Sequence, residues 1–310
     1  KGVSALVWID TDMGFDDILA VMMVAASSKP VAGVSLVFGN APMDAVRANA
    51  AGAASLLGWR FPIHTGAERA ILGGVETPAH VLGPTGIPTR GRSLPQADAL
   101  PRTDALAALT AWLEGLDAPG EILALGPLTN IAILSLARPD LLSKIDSVTW
   151  MGGGATRGNH TASAEFNAFA DPEAVAIVLA SGISLRVADL DLCRQVLVGP
   201  EDVDVVRAAA HPGHAVDLDL LGAYVDIALT RGRPAMALYD PTAAAAFVAP
   251  DAFVFEEAEV TMELAGAHTR GRTIVDQRPH VKPNALWGMR ADAARVRALA
   301  LDALVEADRS

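Results

Sequence analysis

The chain has a single cysteine, Cys193, which excludes an intramolecular disulfide and suits a reducing, cytoplasmic setting. That residue reads as a small buried hydrophobe. No apolar run reaches the roughly 18 residues needed to cross a bilayer, and the amino terminus enters a strand without a signal-peptide pattern, so no membrane association is expected. Positive charge is scarce: 24 Lys and Arg stand against 36 Asp and Glu, for a net charge of -12 and a pI near 5.0. Such a balance repels a phosphate backbone, and without a basic patch to offset it a nucleic-acid partner is not expected. An uncharged small molecule or a cation is the easier ligand. The sequence also has no P-loop, no nucleophile elbow, no Cys or His pairs at zinc spacing, and no Gly-x-Gly-x-x-Gly after its first strand.

What is present is a long apolar chain: 310 residues, 51% hydrophobic and 19% charged, able to bury a large core. Ala5–Ile9 is an unbroken apolar run, as expected for a strand covered on both faces. It leads through Asp10-Thr-Asp12-Met-Gly14-Phe-Asp16-Asp17 into a helical stretch from Ile18 to Ala26. The alternation continues with strand Val31–Phe38, helix Met43–Leu57, strand Pro62–Thr65, helix Thr103–Leu116, strand Glu121–Leu125, helix Leu128–Leu136 and strand Ile145–Met151. Helix Pro172–Ala180, capped by Asp171, strand Ser184–Ala188, and helix Pro241–Phe247, capped by Asp240, come next. This pattern predicts one α/β domain over residues 1–310: a mainly parallel open sheet with helices on both faces. A small hairpin, Phe253–Leu264 with Thr273–Asp276, is appended, and a final helix runs over Ala291–Ala307. Residues 66–100, rich in Gly and Pro, have the length of a lid or binding loop.

In open α/β sheets ligands bind beyond the carboxyl ends of the strands. There the sequence places Asp10 and Asp12, then Gly39-Asn40, Leu125-Gly126-Pro127, Met151-Gly-Gly-Gly154, and Asp189 with Asp191. Asp10, Asp12, Asp16 and Asp17 cannot all stay ionised in a cleft without a cation or strong hydrogen bonds. All-oxygen donors point to calcium or magnesium. An EF-hand is excluded, because Gly14 falls one place early and no Glu closes a twelve-residue loop. A second polar cluster, Asn159 to Asn167 with Glu165 between them, lies in an irregular stretch and could hydrogen-bond sugar hydroxyls.

Asp10-Thr-Asp-Met-Gly-Phe-Asp-Asp17, Phe38-Gly-Asn40, Gly126-Pro-Leu-Thr-Asn130, Met151-Gly-Gly153, Glu165-Phe-Asn167 and Tyr239-Asp-Pro241 occur in the order and approximate spacing of the inosine-uridine-preferring nucleoside hydrolases. The resemblance spans nearly the whole chain, to Thr269-Arg-Gly271 and Val275-Asp276. It implies hydrolysis of the N-glycosidic bond of ribonucleosides, in purine or pyrimidine salvage, by a homodimer or homotetramer. It also implies a calcium ion held by Asp12, Asp17, the Leu125 carbonyl and Asp240, with Asp12 as both ligand and general base. Asp16 and Asn40 resemble the residues that grip the ribose hydroxyls, and Asn159, Glu165 and Asn167, with Met151 and Phe166 beside them, those around the 3′ and 5′ hydroxyls. Asp10 looks like support behind the ligands. A carboxylate at Glu165 should repel a 5′-phosphate and favour nucleosides over nucleotides.

The chain departs from this pattern at three places. Met13 stands where the family usually has Pro, with a local effect expected on the turn. Tyr239 precedes Asp240 where many members carry a His linked to leaving-group protonation; a phenol could donate a hydrogen bond or stack on the base. Leu82-Gly83, with His80 just before, replaces a His-Gly pair near the base, so no nucleobase is assigned. Tyr224, on a helix leading toward Tyr239, is a candidate pocket residue, whereas His211 and His214 read as surface residues.

Two rival readings use the same first turn. A haloacid-dehalogenase-like phosphatase with magnesium needs a lysine at a later strand's carboxyl end, and Lys1, Lys29, Lys144 and Lys282 do not sit at one. A nucleoside- or ribose-binding protein without turnover would keep the metal site and lack the leaving-group His.

Overall fold

The computed structural model describes residues 7–209, 213 and 215–306; His211, His214 and the outer ends of the first strand and last helix lie outside them. The first half of the chain runs β1 (Val7–Thr11), α1 (Phe15–Ala25), β2 (Val31–Leu36), α2 (Met43–Leu57), β3 (Ile63–Thr65), α3 (Ala79–Leu82), α4 (Ala105–Glu114), β4 (Gly120–Ala124), α5 (Thr129–Ala137) and β5 (Ile145–Met151). It continues through α6 (Phe166–Ala170), α7 (Pro172–Ala180), β6 (Leu185–Ala188), α8 (Leu190–Cys193), β7 (Leu197–Val198), α9 (Pro200–Ala209), α10 (Ala215–Leu229) and β8 (Met236–Ala237). The last part is α11 (Asp240–Val248), β9 (Phe253–Met262), β10 (Thr273–Asp276), β11 (Ala285–Ala291) and α12 (Ala293–Glu306).

Nine strands form one sheet in the order β10-β9-β11-β6-β5-β4-β1-β2-β3. Every neighbouring pair from β11 to β3 is parallel, while β9 and β10 add antiparallel strands at one edge. The chain builds outward from β1 in one direction through β2 and β3, and in the other through β4, β5 and β6. The switch point therefore lies at β1, where a doubly wound sheet opens a crevice beyond its strand ends.

Both faces of the sheet are covered, which explains the apolar runs. Along β1, Val7 and Ile9 enter the core shared with α1, α2 and α10 to α12, while Trp8 enters the opposite core with α4, α5 and α7. Ile122 and Leu123 on β4 divide in the same way. Helix α1 is buried from Asp17 to Val24 between the sheet and helices α11 and α12, which a helix apolar on all sides requires. Truncating a side chain such as Leu19, with 0% exposure, to Ala costs about 2–5 kcal/mol.

Several elements differ from the sequence reading. The predicted hairpin is the β9–β10 pair, but it joins the sheet through β11, which pairs parallel to β6 and antiparallel to β9. Helices α3, α6, α8 and α9 also went unpredicted, and the stretch read as irregular around residue 166 turns helical at Phe166 because Glu165 caps α6. Among the described residues no helix is long and apolar enough to cross a membrane.

Candidate active site

Residues from the ends of β1, β2, β4 and β5 and from the starts of α1, α6 and α11 meet beyond the sheet's carboxyl edge. The first turn does most of the positioning. The Thr11 hydroxyl donates to Asp17 Oδ1 (2.5 Å) and accepts from the Met13 amide (3.0 Å), while Gly14 N donates to Asp17 Oδ2 (3.0 Å). Asp17 thus closes the start of α1 from its third position. Met13 sits at φ 48°, the left-handed region. Proline, fixed near φ −65°, cannot adopt this backbone, so Met13 does more than fill a proline's turn. Holding a non-glycine residue there costs about 1–3 kcal/mol, which the surrounding hydrogen bonds offset.

Asn40, at the end of the chain leaving β2, clamps Asp12: its amide N–H donates to Oδ2 (2.7 Å) and its side-chain Nδ2 to Oδ1 (2.9 Å), with a further bond to Asp17 Oδ2 (3.0 Å). The approach is close enough that a Cβ on Gly39 would lie 2.0 Å from Asp12 Oδ2. Behind Asp12, Asp10 is fully buried; its Oδ1 accepts from the Ser35 hydroxyl and from Asn130 Nδ2 (2.7 Å), and its Oδ2 has no partner among the described residues. Burial pushes the Asp10 carboxyl up to about 6.

Asp240 opens α11 and reaches the same point from the far side of the sequence; carboxylate oxygens of Asp16, Asp17 and Asp240 lie within 4.8 Å of one another. No ion pair of a described Lys or Arg reaches Asp12, Asp16, Asp17 or Asp240. Burial, then repulsion among these acids, raises Asp12 and Asp240 well above the usual carboxylate range and Asp16 to about 7. An anionic hole with oxygen donors only fits a hard divalent cation. Leu125 lines the adjoining cavity, its carbonyl accepting from Asn167 Nδ2 (3.0 Å).

The floor faces a cavity of about 380 Å³, the size of a small-molecule site. Asp12, Asp16, Asn40, Leu125, Met151, Asn159, Glu165, Phe166, Asn167, Tyr239 and Asp240 line it. Asp17 and Asp10 lie behind the lining. Asn167 Nδ2 also donates to the Met151 carbonyl (2.9 Å), and Asn159 Oδ1 accepts from Phe166 N (3.0 Å). Glu165 accepts from the backbone of Gly153, Asn167 and Ala168 at 2.8–2.9 Å, leaving about one of its four acceptor positions for a ligand. Burial pushes its carboxyl up to about 7.

Tyr224 lines the cavity, its hydroxyl committed to the Ala237 carbonyl (2.6 Å). Burial raises the Tyr239 phenol, while Arg194 and Arg233 pull it down. Cys193 is buried with its thiol pushed up by burial. Of the residues singled out at strand ends, Asp189 caps α8 and Asp191 holds Thr156 and Arg194; neither lines the cavity. Among the described residues no lysine lines it either: Lys29 pairs with Glu121 and Lys144 donates to the Leu116 carbonyl. Sequence reasoning missed Arg157, Arg194, Arg231 and Arg233 at the mouth, which are scattered along the chain and carry no motif.

A doubly wound sheet with an all-oxygen acidic cage at its switch point defines a class: an α/β protein that handles a small ligand at the strand ends. The family follows from comparison. The family model of the inosine-uridine preferring nucleoside hydrolases matches residues 7–303, and the chain belongs to that family. It is a nucleoside hydrolase, an enzyme that splits ribonucleosides into ribose and free base. It is 34% identical over 275 residues to the pyrimidine-specific ribonucleoside hydrolase RihA of Shewanella woodyi, covering 87% of each chain. It is 31% identical over 273 residues to an Escherichia coli protein of the same name, covering 86% of this chain and 87% of that one. In fold it is similar to a purine-preferring ribonucleoside hydrolase from Gardnerella vaginalis, at TM-score 0.88 and 24% identity, covering 97% of this chain and 98% of that one.

Proposed function

We propose that the chain hydrolyses ribonucleosides through a calcium ion held by Asp12, Asp17, Asp240 and the Leu125 carbonyl. One observation carries this reading: carboxylates from the first turn and from the start of α11 converge, largely buried and without a basic partner among the described residues, on the floor of a nucleoside-sized cavity. Calcium bound there supplies a water of lowered pKa and an anchor for the ribose diol.

The chain's own residues do the rest. Asp12, its two oxygens oriented by Asn40, takes the proton of the attacking water as the C1′–N bond breaks. Asp16 and Asn40 grip the ribose 2′ and 3′ hydroxyls, and Asn159, Glu165 and Asn167 hold the 3′ and 5′ side against Met151 and Phe166. The ring of carboxylates favours the positive charge that develops on the ribose. Asp10 holds the strand end from behind through Ser35 and Asn130. Tyr239, firmly protonated, donates a hydrogen bond to the departing base. The resemblance adds a homodimer or homotetramer in the cytoplasm, a setting that the lone buried cysteine suits.

Incubating a panel of purine and pyrimidine nucleosides with the protein, with reducing sugar measured before and after treatment with a calcium chelator, tests the proposal. Sugar release that the chelator stops supports it. Nucleoside bound tightly with no free base appearing would establish the binding protein instead, and phosphate released from a generic ester would reinstate the phosphatase.

A further inference from the structure

The floor of the cavity is acidic, but its mouth is not. Arg157, Arg194, Arg231 and Arg233 all line it. Arg194 is committed to Asp191 and to the carbonyls of Arg157 and Gly158. The guanidinium groups of Arg157, Arg231 and Arg233 have no hydrogen-bond or ion-pair partner among the described residues. In a chain with 24 cationic and 36 acidic side chains, partners for a surface arginine are plentiful, as Arg90, Arg138 and Arg295 show. Three exposed guanidiniums without a protein partner among the described residues, lining the same cavity as the acidic floor, are a place where an anionic group could bind.

Their place on the rim says which end of the substrate they face. Arg231 and Arg233 follow the carboxyl end of α10, whose Tyr224 and Ile227 form one wall, and precede Met236 and Tyr239 on the same wall. Arg233 and Arg194 both act on the Tyr239 phenol. That is the leaving-group side in the reading above, on which this inference rests. The 5′ side carries Glu165, whose carboxyl already accepts three backbone amides and, when ionised, disfavours a second anion.

We propose that the leaving group of the preferred substrate bears a carboxylate, read by Arg231 and Arg233. The substrate class is the N-ribosides of carboxylated heteroaromatic bases. The reaction is unchanged: the C1′–N bond breaks with its electron pair remaining on nitrogen, the water oxygen bonds to C1′, and its proton passes to Asp12. The carboxylate takes no part in the bond changes; it supplies charge-assisted hydrogen bonds that a neutral base lacks. Sequence composition pointed to an uncharged or cationic ligand because an overall balance of charge hides a local rim.

Matched ribosides differing at a single group test this. Nicotinic acid riboside against nicotinamide riboside, and 5-carboxyuridine against uridine, are compared by kcat/KM on the wild-type protein and on the Arg231→Gln/Arg233→Gln variant. Wild type is expected to favour the acid of each pair by about tenfold or more, falling toward unity in the double variant. The wild-type ratio is also expected to shrink as salt rises, a readout that does not depend on the variant folding. Equal turnover of acid and amide, or a ratio indifferent to both arginines, overturns the proposal. So does a preference for uridine 5′-monophosphate over uridine that the double substitution abolishes, since the rim would then serve a phosphate. If neutral ribosides are cleaved without preference for the acids, this inference alone fails; if no riboside is cleaved, the hydrolase reading fails with it.

Discussion

The floor and the mouth of the cavity are built by different means. The floor is made at strand ends: Asp12, Asp17 and Asp10 are buried at 1% exposure or less, and their oxygens are fixed by backbone amides, Thr11, Asn40, Ser35 and Asn130. The mouth is made of loops tied by long side chains. Arg90 crosses Gly222 of α10 to bind Asp226 through two 2.7 Å bonds, strapping the loop after α3 to the helix that carries Tyr224. His160 and Glu76 join the two loops that face each other across the opening (3.0 Å). Contacts of this exposed kind contribute about 0–1 kcal/mol each, so the mouth is tied more weakly than the floor. On the proposed reading, the hydrolytic chemistry sits where the sheet holds it, and the choice of base falls to parts held more weakly.

Substitutions on the floor therefore carry the largest expected effects. Asp12→Ala is expected to lower kcat by about 10³-fold with little change in melting temperature, because it removes the general base and a cage oxygen while relieving repulsion. Ribose release and thermal unfolding, measured side by side, check it; near-normal turnover in the folded variant removes Asp12 from its role. Gly39→Ala comes next. Its Cβ would press on Asp12 Oδ2 and displace it, costing about 10²-fold in kcat without deleting any polar group.

At the mouth the same assays should register far less. Arg90→Ala is expected to raise KM about threefold with kcat nearly unchanged, since it loosens the strap and leaves the cage alone. The smallest effect belongs to His160→Ala or Glu76→Ala, below about twofold in either constant. A loss of kcat at the mouth as deep as that at Gly39 would erase the distinction between the two regions.

This division also explains what the sequence disclosed. The first strand was legible because both faces of the sheet are covered, so Ala5–Ile9 reads as an unbroken apolar run, and β4 and β5 kept apolar stretches at Ile122-Leu-Ala-Leu125 and Trp150-Met151. Strand β11 was not, since Ala285-Leu-Trp-Gly-Met-Arg-Ala291 is exposed toward its end and its place beside β6 depends on a partner a hundred residues earlier. Helix α9 did leave a signal in Gly199-Pro200-Glu201-Asp202, with Asp202 accepting from Gly199 N (2.9 Å) and Val203 and Val206 spaced to face the core. The aspartates of the first turn declared themselves by crowding, and Asp240 by its motif. The arginines did not, because their nearness is a property of the folded rim, and Met13 gave no hint of a left-handed backbone.

The central claim is that the cage exists to hold one hard cation on which turnover depends. Titrating calcium into metal-stripped protein, with bound ion, melting temperature and ribose release followed together, tests it directly. One ion per chain is expected to raise the melting temperature and restore turnover together, and Asp240→Asn to weaken both responses. Full turnover in protein shown to be free of divalent metal would contradict it.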